Sequence, residues 1–363
     1  MSLASENPAL ELFARRRGRL RQKLVEHDLD GYLVMHPANR FYLSGFELHD
    51  PQCNESAGCL LITAKGEDWL CTDPRYLEAG KRIWPEDSLF VYTNNRIKDL
   101  TGFMAGQPLS SLGFESRIVC HELFATMSES VHMVPSAGLV EELRRTKDPE
   151  EIELLASSCK LNHAVFAQLQ DRALAGQSEA ELAWTIERAF RENGASDLAF
   201  SSIVAAGPNA ALPHSIPGPT VIPDNGPLLI DIGGRKDNYC SDQTRTFWTG
   251  NRPSDAFKRT LDLVQQAQQL AIDRLRPGMQ AKDLYALVKE FFARHEVAEH
   301  FTHALGHGIG LETHEAPSLG PAGELPLQPG MVITIEPGLY YPEWGGVRWE
   351  HMVVVTEDGA RVL

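Results

Sequence analysis

Leu228-Leu229-Ile230-Asp231-Ile232-Gly233-Gly234-Arg235-Lys236-Asp237-Asn238-Tyr239-Cys240-Ser241-Asp242-Gln243-Thr244-Arg245-Thr246 is the stretch on which the reading of this chain turns. Asp231 ends an apolar run, Leu228 to Ile230, that reads as a buried strand, and Gly233-Gly234 follow at once as a turn signal. A second strand-like run, Tyr239 to Phe247, returns with Asp242 in its middle, eleven residues after Asp231. The expected unit is a hairpin carrying two aspartates. A carboxylate inside an apolar strand is costly unless something positive meets it. One alone is accommodated as a paired core aspartate. Two facing each other across a hairpin repel, and protonation or a bound cation is the usual remedy. The metal reading therefore leads.

The carboxyl-terminal third repeats the theme. His303-Ala-Leu-Gly-His307-Gly-Ile-Gly-Leu-Glu-Thr-His314 sets three histidines among glycines, which let backbone approach closely and suit a site that crowds ligands. Val332-Ile-Thr-Ile-Glu336-Pro-Gly is again an apolar strand, a terminal carboxylate and a breaker, and Gly346-Val-Arg348-Trp-Glu350 puts another acid at the mouth of a strand. Singly, Glu336 reads as a solvated strand end and Glu350 as a partner of Arg348. Together, four strand-borne carboxylates and Gly-flanked histidines point to a site. Asp231, Asp242, Glu336 and Glu350 carry four negative charges, which two divalent ions neutralise. Carboxylates with an imidazole suit Mn²⁺, Co²⁺ or Zn²⁺. Two such ions about 3.5–4 Å apart hold a bridging water, lower its pKa and polarise a bound carbonyl.

The flanks of these motifs read as a two-domain chain. Pro8 to His27 is expected to be an amphipathic helix with Leu10, Phe13, Leu20 and Leu24 inward and its five arginines (Arg15, Arg16, Arg17, Arg19, Arg21) as a solvated face. Short apolar runs at Gly31–Met35, Cys59–Thr63, Trp69–Cys71, Leu89–Tyr92 and Leu112–Phe114, separated by polar or helical stretches such as Pro74–Lys81, predict an α/β domain with a mixed or parallel sheet. His36, His49, His121 and His132 are scattered singly and read as structural. Gly138 to Glu151 is the seam. Asp148-Pro149 opens a long helix to about Ala173, and Ser178 with Glu181 forms a capping box before a helix from Ala180 to Glu192. A strand at Phe200–Ala205 and a Gly/Pro-rich loop from Gly207 to Pro223, carrying His214, precede the hairpin. Helices at Ser254–Leu275 and Ala281–His295 follow it, broken by Pro277-Gly278, and the rest is strand and loop with apolar runs at Met331–Ile335 and Val347–Val355.

Composition narrows the function classes. At 363 residues with 43% hydrophobic and 23% charged side chains, the chain is long enough for two globular domains. A formal net charge of −15 weighs against a nucleic-acid or acidic-membrane partner. The six cysteines (Cys53, Cys59, Cys71, Cys120, Cys159, Cys240) show neither a Cys-x-x-Cys pair nor a disulfide-framework spacing, so free thiols in a reducing, cytoplasmic setting are expected. No apolar signal-peptide core is expected in residues 1–30, and no run approaches the ~18 apolar residues of a membrane span.

These motifs resemble the pita-bread metallopeptidases, in particular the proline-specific branch of Xaa-Pro aminopeptidase and Xaa-Pro dipeptidase (prolidase). The resemblance spans nearly the whole chain, through Leu29-Asp-Gly-Tyr32, Asn39-Arg-Phe-Tyr-Leu-Ser-Gly45, Thr72-Asp-Pro-Arg-Tyr76 and Lys147-Asp-Pro-Glu-Glu151 as well as the site motifs. It implies a creatinase-like α/β domain over 1–145, then a pita-bread catalytic domain, α+β with pseudo-two-fold symmetry, over 146–363. It implies that Asp231, Asp242, His307, Glu336 and Glu350 bind two divalent ions, with manganese the expected metal. The remaining family positions fall on His214, His303, His314 and Arg348. By the resemblance, a metal-bridging hydroxide attacks the Xaa-Pro carbonyl and Glu336 also shuttles the proton. His214 and His314 bind the substrate and the developing oxyanion, His303 lines the pocket, and Arg348 orients Glu350 or the substrate end. Small peptides with proline second are the implied substrates and a homodimer the implied assembly. One departure stands out: Trp349-Glu350-His351 replaces the branch's usual aliphatic-Glu-Asp. That ending, like Gly306-His307-Gly-Ile-Gly310, also resembles the methionine aminopeptidases of the same fold, which typically lack a large first domain; Arg348 sides with the proline-specific branch. A ligand-free pita-bread binding module and a metal-free creatinase are disfavoured by the complete ligand set.

Overall fold

The computed structural model describes residues 8–52, 55–93, 95–170 and 174–363, and the chain divides into two compact units, Met1–Arg144 and Arg145–Leu363. Cys53, and the expected run of a helix through 171–173, lie outside the described residues.

The first unit is a mixed α/β layer. Its elements are α1 (Pro8–Glu26), β1 (Gly31–Val34), α2 (Pro37–Ser44), β2 (Gly58–Thr63), β3 (Trp69–Thr72), α3 (Leu77–Lys81), β4 (Leu89–Val91), α4 (Arg96–Ala105), β5 (Leu112–Phe114), α5 (His121–Ser128), β6 (Met133–Pro135) and α6 (Leu139–Arg145). The sheet runs β4-β3-β2-β1-β5-β6, with β1 antiparallel to β2 and parallel to β5. Its strands read as continuous apolar runs because both faces are covered; β1 and β2 are buried throughout. Leu33, Leu61, Leu112, Leu123 and Met127 meet in one core.

The arginines of α1 depart from the expected solvated face. Arg15 and Arg19 are exposed. Arg16 is buried, donates to the Tyr42 carbonyl and lies 4.0 Å over the Tyr42 ring. Arg17 donates to the Leu43 carbonyl, and both Arg17 and Arg21 pair with Asp68. Guanidinium groups carry several donors on a long apolar stem, so a helix packed against carbonyls buries them where polarity alone places them outside.

The second unit repeats one order twice: two helices, then antiparallel strands. The first half holds α7 (Pro149–Gln170), α8 (Glu179–Glu192), β7 (Asp197–Leu198), β8 (Ile203–Ala206), β9 (Gly226–Ile232), β10 (Gly234–Lys236), β11 (Tyr239–Cys240) and β12 (Gln243–Thr249). The second holds α9 (Asp255–Arg274), α10 (Ala281–Arg294), β13 (His307–Gly308), β14 (Glu315–Ser318), β15 (Val332–Ile335), β16 (Gly338–Tyr341), β17 (Gly345–Arg348), β18 (His351–Val355) and β19 (Ala360–Val362). This is the pseudo-two-fold layout that the sequence resemblance implies. The capping box of Ser178 and Glu181 starts α8, and Leu182, Ile186, Ala189 and Phe190 then recur on its buried side. Each large side chain so buried contributes about 1.5–3 kcal/mol. They pack on Val204, Leu228 and Ile230 of β8 and β9, while α9 and α10 pack on Ile333, Ile335 and Val353.

The hairpin that opened the reading is more broken than its hydrophobicity indicates. β9 pairs with β12 in the register Asp231↔Thr244, and between them β10 and β11 form a separate small ribbon. The reversal is made by Asp237 and Asn238, at φ 48° and 72°, and not by Gly233-Gly234. Asp and Asn tolerate the left-handed region that a two-residue hairpin turn requires. Gly233 is glycine for space, since a Cβ there would lie 2.2 Å from the Ser241 carbonyl oxygen. Asp242 therefore sits at a break between β11 and β12, and not within one continuous strand. The expected Val347–Val355 strand is likewise split in two, with Trp349 and Glu350 at the break.

Candidate metal centre and active site

Strand ends deliver the carboxylates. Asp231 is the penultimate residue of β9, Asp242 lies before β12, Glu336 follows β15, and Glu350 precedes β18. His307 opens β13, seated tightly on both sides: a Cβ at Gly306 would meet the Thr334 carbonyl oxygen at 2.1 Å, and one at Gly308 the Ala316 oxygen at 2.3 Å. Glycine alone admits that double approach.

One ligand atom each from Asp242, His307 and Glu350 lies within 4.8 Å of the others. His307 Nε2 is 3.3 Å from Glu336 Oε1 and 3.6 Å from Asp242 Oδ2. Its Nδ1 faces the Gly308 carbonyl at 3.0 Å, so Nε2 is the nitrogen turned to the acids, the outer hydrogen bond that commonly orients a ligating imidazole. Asp231 Oδ2 accepts from Arg348 Nη2 at 2.6 Å. Two hydroxyls steady the glutamates: Thr334 Oγ1 donates to Glu336 Oε1 at 3.0 Å, and Thr244 Oγ1 to Glu350 Oε2 at 2.8 Å.

The electrostatics are those of crowded like charges. Burial pushes Asp242 well above the usual carboxylate range, and Glu350, Asp231 and Glu336 push it further. Glu350 is raised in the same way, by burial and then by Glu336 and Asp231. Glu336 goes the other way: burial opposes ionisation, yet the hydrogen bond and charge of His307 hold it down at about 2. His307 is correspondingly raised, the pull of Glu336 outweighing its desolvation. The cluster thus needs protons or cations to exist. Asp231 Oδ1 and Glu350 Oε1 are buried without a hydrogen-bond partner, an expensive condition that a cation relieves. Four carboxylates and an imidazole are also the donor set of a hard or borderline divalent ion. The residues fit a metal.

Of the nine residues singled out from sequence, all but Glu350 line one cavity of about 660 Å³. The His314 ring lies edge-on to His307, with centroids 4.4 Å apart. Burial, then the neighbouring His307, lowers the His314 pKa, which favours neutral imidazole. His303 is also lowered, chiefly by burial. Its Nδ1 meets the Ala304 carbonyl at 2.7 Å and its Nε2 the Tyr340 hydroxyl at 2.8 Å. His214 is exposed, on the loop after Ala211. Buried Glu179 ties that loop down, accepting from the amides of Ala206 and Gly218 and from Asn209 Nδ2. Phe200, Ile203, Pro213, Ile216 and Pro217 give the cavity an apolar side.

Arg348 is placed differently from the simple Glu350 pair. It is spent on Asp231, on the Tyr340 hydroxyl (2.9 Å), on the Pro213 carbonyl (3.2 Å) and on Thr244 Oγ1 (3.0 Å). It reaches Glu350 only through the Thr244 hydroxyl. Thr246 accepts from the Arg348 amide and returns a bond to its carbonyl, which fixes that strand against β12. Tyr340, its hydroxyl pushed up to about 12 by burial, sits between Arg348 and His303 and was not singled out from sequence. Nothing marks it in Leu339-Tyr340-Tyr341 except nearness to Glu336-Pro337-Gly338. Thr244 and Thr334 were missed for the same reason: a buried threonine in a strand has the bland reading of a β-former.

Comparisons with known proteins identify the family of both parts of the chain. Residues 153–357 match metallopeptidase family M24, and residues 16–146 match the creatinase/prolidase N-terminal domain. An Xaa-Pro dipeptidase of Pyrococcus furiosus is 32% identical over 349 residues, covering 94% of this chain and 96% of the relative. The structure of an Xaa-Pro dipeptidase from Bacillus anthracis superposes with a TM-score of 0.89 at 32% identity, covering 96% of this chain and 97% of that one. An X-Pro aminopeptidase from Thermotoga maritima gives 0.82 at 30% identity over 94% and 96%.

Proposed function

The chain belongs to metallopeptidase family M24, with a creatinase/prolidase N-terminal domain, and from that premise we propose that it hydrolyses Xaa-Pro bonds in dipeptides or at the N-terminus of short peptides. The observation that carries the reading is the meeting of Asp242, His307 and Glu350 within 4.8 Å, beside two buried carboxylate oxygens that lack partners. Asp231, Asp242, His307, Glu336 and Glu350 would hold two divalent ions, with Mn²⁺ first and Co²⁺ or Zn²⁺ also compatible with these donors. Bound there, the ions supply an activated water nucleophile and positive charge to polarise the scissile carbonyl.

The rest falls to the chain's own side chains. Glu336 lines the cavity beside His307 and, as a carboxylate, can take a proton from the attacking water and pass it to the leaving amine. His214 and His314 bind substrate and donate to the developing oxyanion, the kind of contact that is often the largest single contribution to rate. His303 lines the pocket through Tyr340, and Arg348 orients Asp231 directly and Glu350 through Thr244. The apolar side formed by Phe200, Ile203 and Ile216 suits a proline ring. Free cysteines and a formal net charge of −15 are in keeping with a cytoplasmic enzyme, and a homodimer is the proposed assembly.

The test is hydrolysis of an Xaa-Pro dipeptide, an Xaa-Pro tripeptide and a Met-Ala-Ser tripeptide, with and without Mn²⁺, alongside metal analysis. Metal-dependent cleavage of Xaa-Pro substrates with two ions per chain is expected. Cleavage of Met-Ala-Ser alone would transfer the chain to the methionine-aminopeptidase-like alternative, and no cleavage with no bound metal would favour a binding module.

A further inference from the structure

The pairing of β15 with β18 ends at Ile335↔His351. Glu336 and Glu350 are the next residues outward on the two strands, where the backbone ladder no longer fixes their separation. One side chain takes over at that point. Gln268, buried on α9, donates from Nε2 to the Ile335 carbonyl at 2.8 Å and to the Trp349 carbonyl at 3.0 Å. These carbonyls belong to the residues immediately preceding the two glutamates. A primary amide has two N–H donors on one nitrogen, so it bridges two acceptors at a set distance.

The amide is itself held. Its Oε1 lies 2.9 Å from His351 Nδ1, and an amide oxygen only accepts, so the proton is on Nδ1. His351 Nε2 is then an acceptor, met by Arg245 Nη2 at 2.8 Å. Arg245 Nη1 donates to the Glu350 and Thr244 carbonyls, and its guanidinium lies 4.5 Å over the Trp349 ring. The donor direction runs from Arg245 through His351 to Gln268 and ends on the strands that carry the glutamates. His351 stands where the resembled branch has aspartate, and a neutral imidazole fits this chain because it accepts at one nitrogen and donates at the other.

We propose that Gln268, oriented by Arg245 and His351, is a positioning residue that sets the separation of Glu336 and Glu350 for metal binding. The inference rests on the proposed function in taking both glutamates as ligands. Gln268 does not touch substrate or metal; its effect passes through the peptide units next to the ligands. Gln268→Met keeps the length and removes both donors. Gln268→Glu keeps the shape and turns an acceptor toward two carbonyls.

Mn²⁺ titration of the full-length chain, with free ion followed by electron paramagnetic resonance, tests this without reference to activity. Gln268→Met and Gln268→Glu are expected to weaken Mn²⁺ binding by about 10–100-fold, the usual cost of losing an outer-shell partner. Val264→Ala, a core truncation one turn earlier on α9, should lower Tm and leave the affinity unchanged. Wild-type affinity in both Gln268 variants, or an equal loss in Val264→Ala, would overturn the inference and leave the proposed function standing. A wild-type chain that bound none of Mn²⁺, Co²⁺ and Zn²⁺ would overturn both.

Discussion

Arg348 donates to Asp231 at 2.6 Å across 117 residues of sequence, and both side chains are buried. The arginine is the protein's own counter-charge for one of four crowded carboxylates. Removing it as Arg348→Met leaves a buried charge without that partner, at a cost of about 3–5 kcal/mol. The loss should be largest in the metal-free chain and partly restored by Mn²⁺, because a cation at Asp231 replaces the missing charge. Urea unfolding with and without Mn²⁺ measures both values; equal losses in the two states would disconnect Arg348 from the metal centre.

Asp231→Asn and Glu336→Gln should abolish Xaa-Pro hydrolysis and lower metal content while the fold persists. Chelation should destabilise the wild-type chain, since an ion at 100 times its Kd contributes about 2.7 kcal/mol. Calorimetric melts of apo and loaded protein check this, together with metal analysis of the variants. Full activity of Asp231→Asn after exhaustive chelation would remove the metal mechanism.

His214 and His314 share the cavity with the carboxylates but have different expected roles from His307. Truncating either to alanine should lower kcat by about 10²–10³, as loss of an oxyanion donor does, with a much smaller change in KM. Bound metal should stay at the wild-type level in both and fall in His307→Ala. Loss of metal in the first two would reassign the ligand histidine, and unchanged kcat would make them loop residues only.

Cys159 gives a pH dependence that rests mainly on burial, with Glu350 adding to it and Arg245 opposing it. Burial pushes its thiol up to about 11, whereas an unfolded cysteine ionises near ~8.5. Between those values the unfolded chain has lost the proton and the folded chain keeps it. This contribution to stability is therefore complete below about pH 8.5 and declines as pH rises toward about 11, by up to ~1.4 kcal/mol per pH unit. Urea unfolding from pH 8 to 10.5 should show a shallower alkaline decline in Cys159→Ala than in wild type; identical slopes would contradict the burial argument. At pH 8 a thiol reagent should modify exposed Cys120 and spare Cys159 until the chain unfolds.

The sequence by itself determined the elements whose causes are local. The capping box at Ser178 and Glu181, the helices on either side of Pro277-Gly278, and the apolar runs of β1, β2, β9 and β15 follow from spacing that any short window contains. It also pointed to a cation site as chemistry, because four strand-borne carboxylates near Gly-flanked histidines are hard to accommodate as packing, while the choice of His307 among the histidines came only from the family resemblance. Only the tertiary structure decided how that chemistry is arranged. Asp231 with Arg348, Thr244 with Glu350, and Gln268 with two strand ends join residues 67 to 117 positions apart. No local window records such pairs. The inward arginines of α1 and the turn at Asp237-Asn238 were misplaced for a related reason. Polarity says that a group needs a partner, but whether the partner is water, a carbonyl or a carboxylate depends on what the fold brings against it.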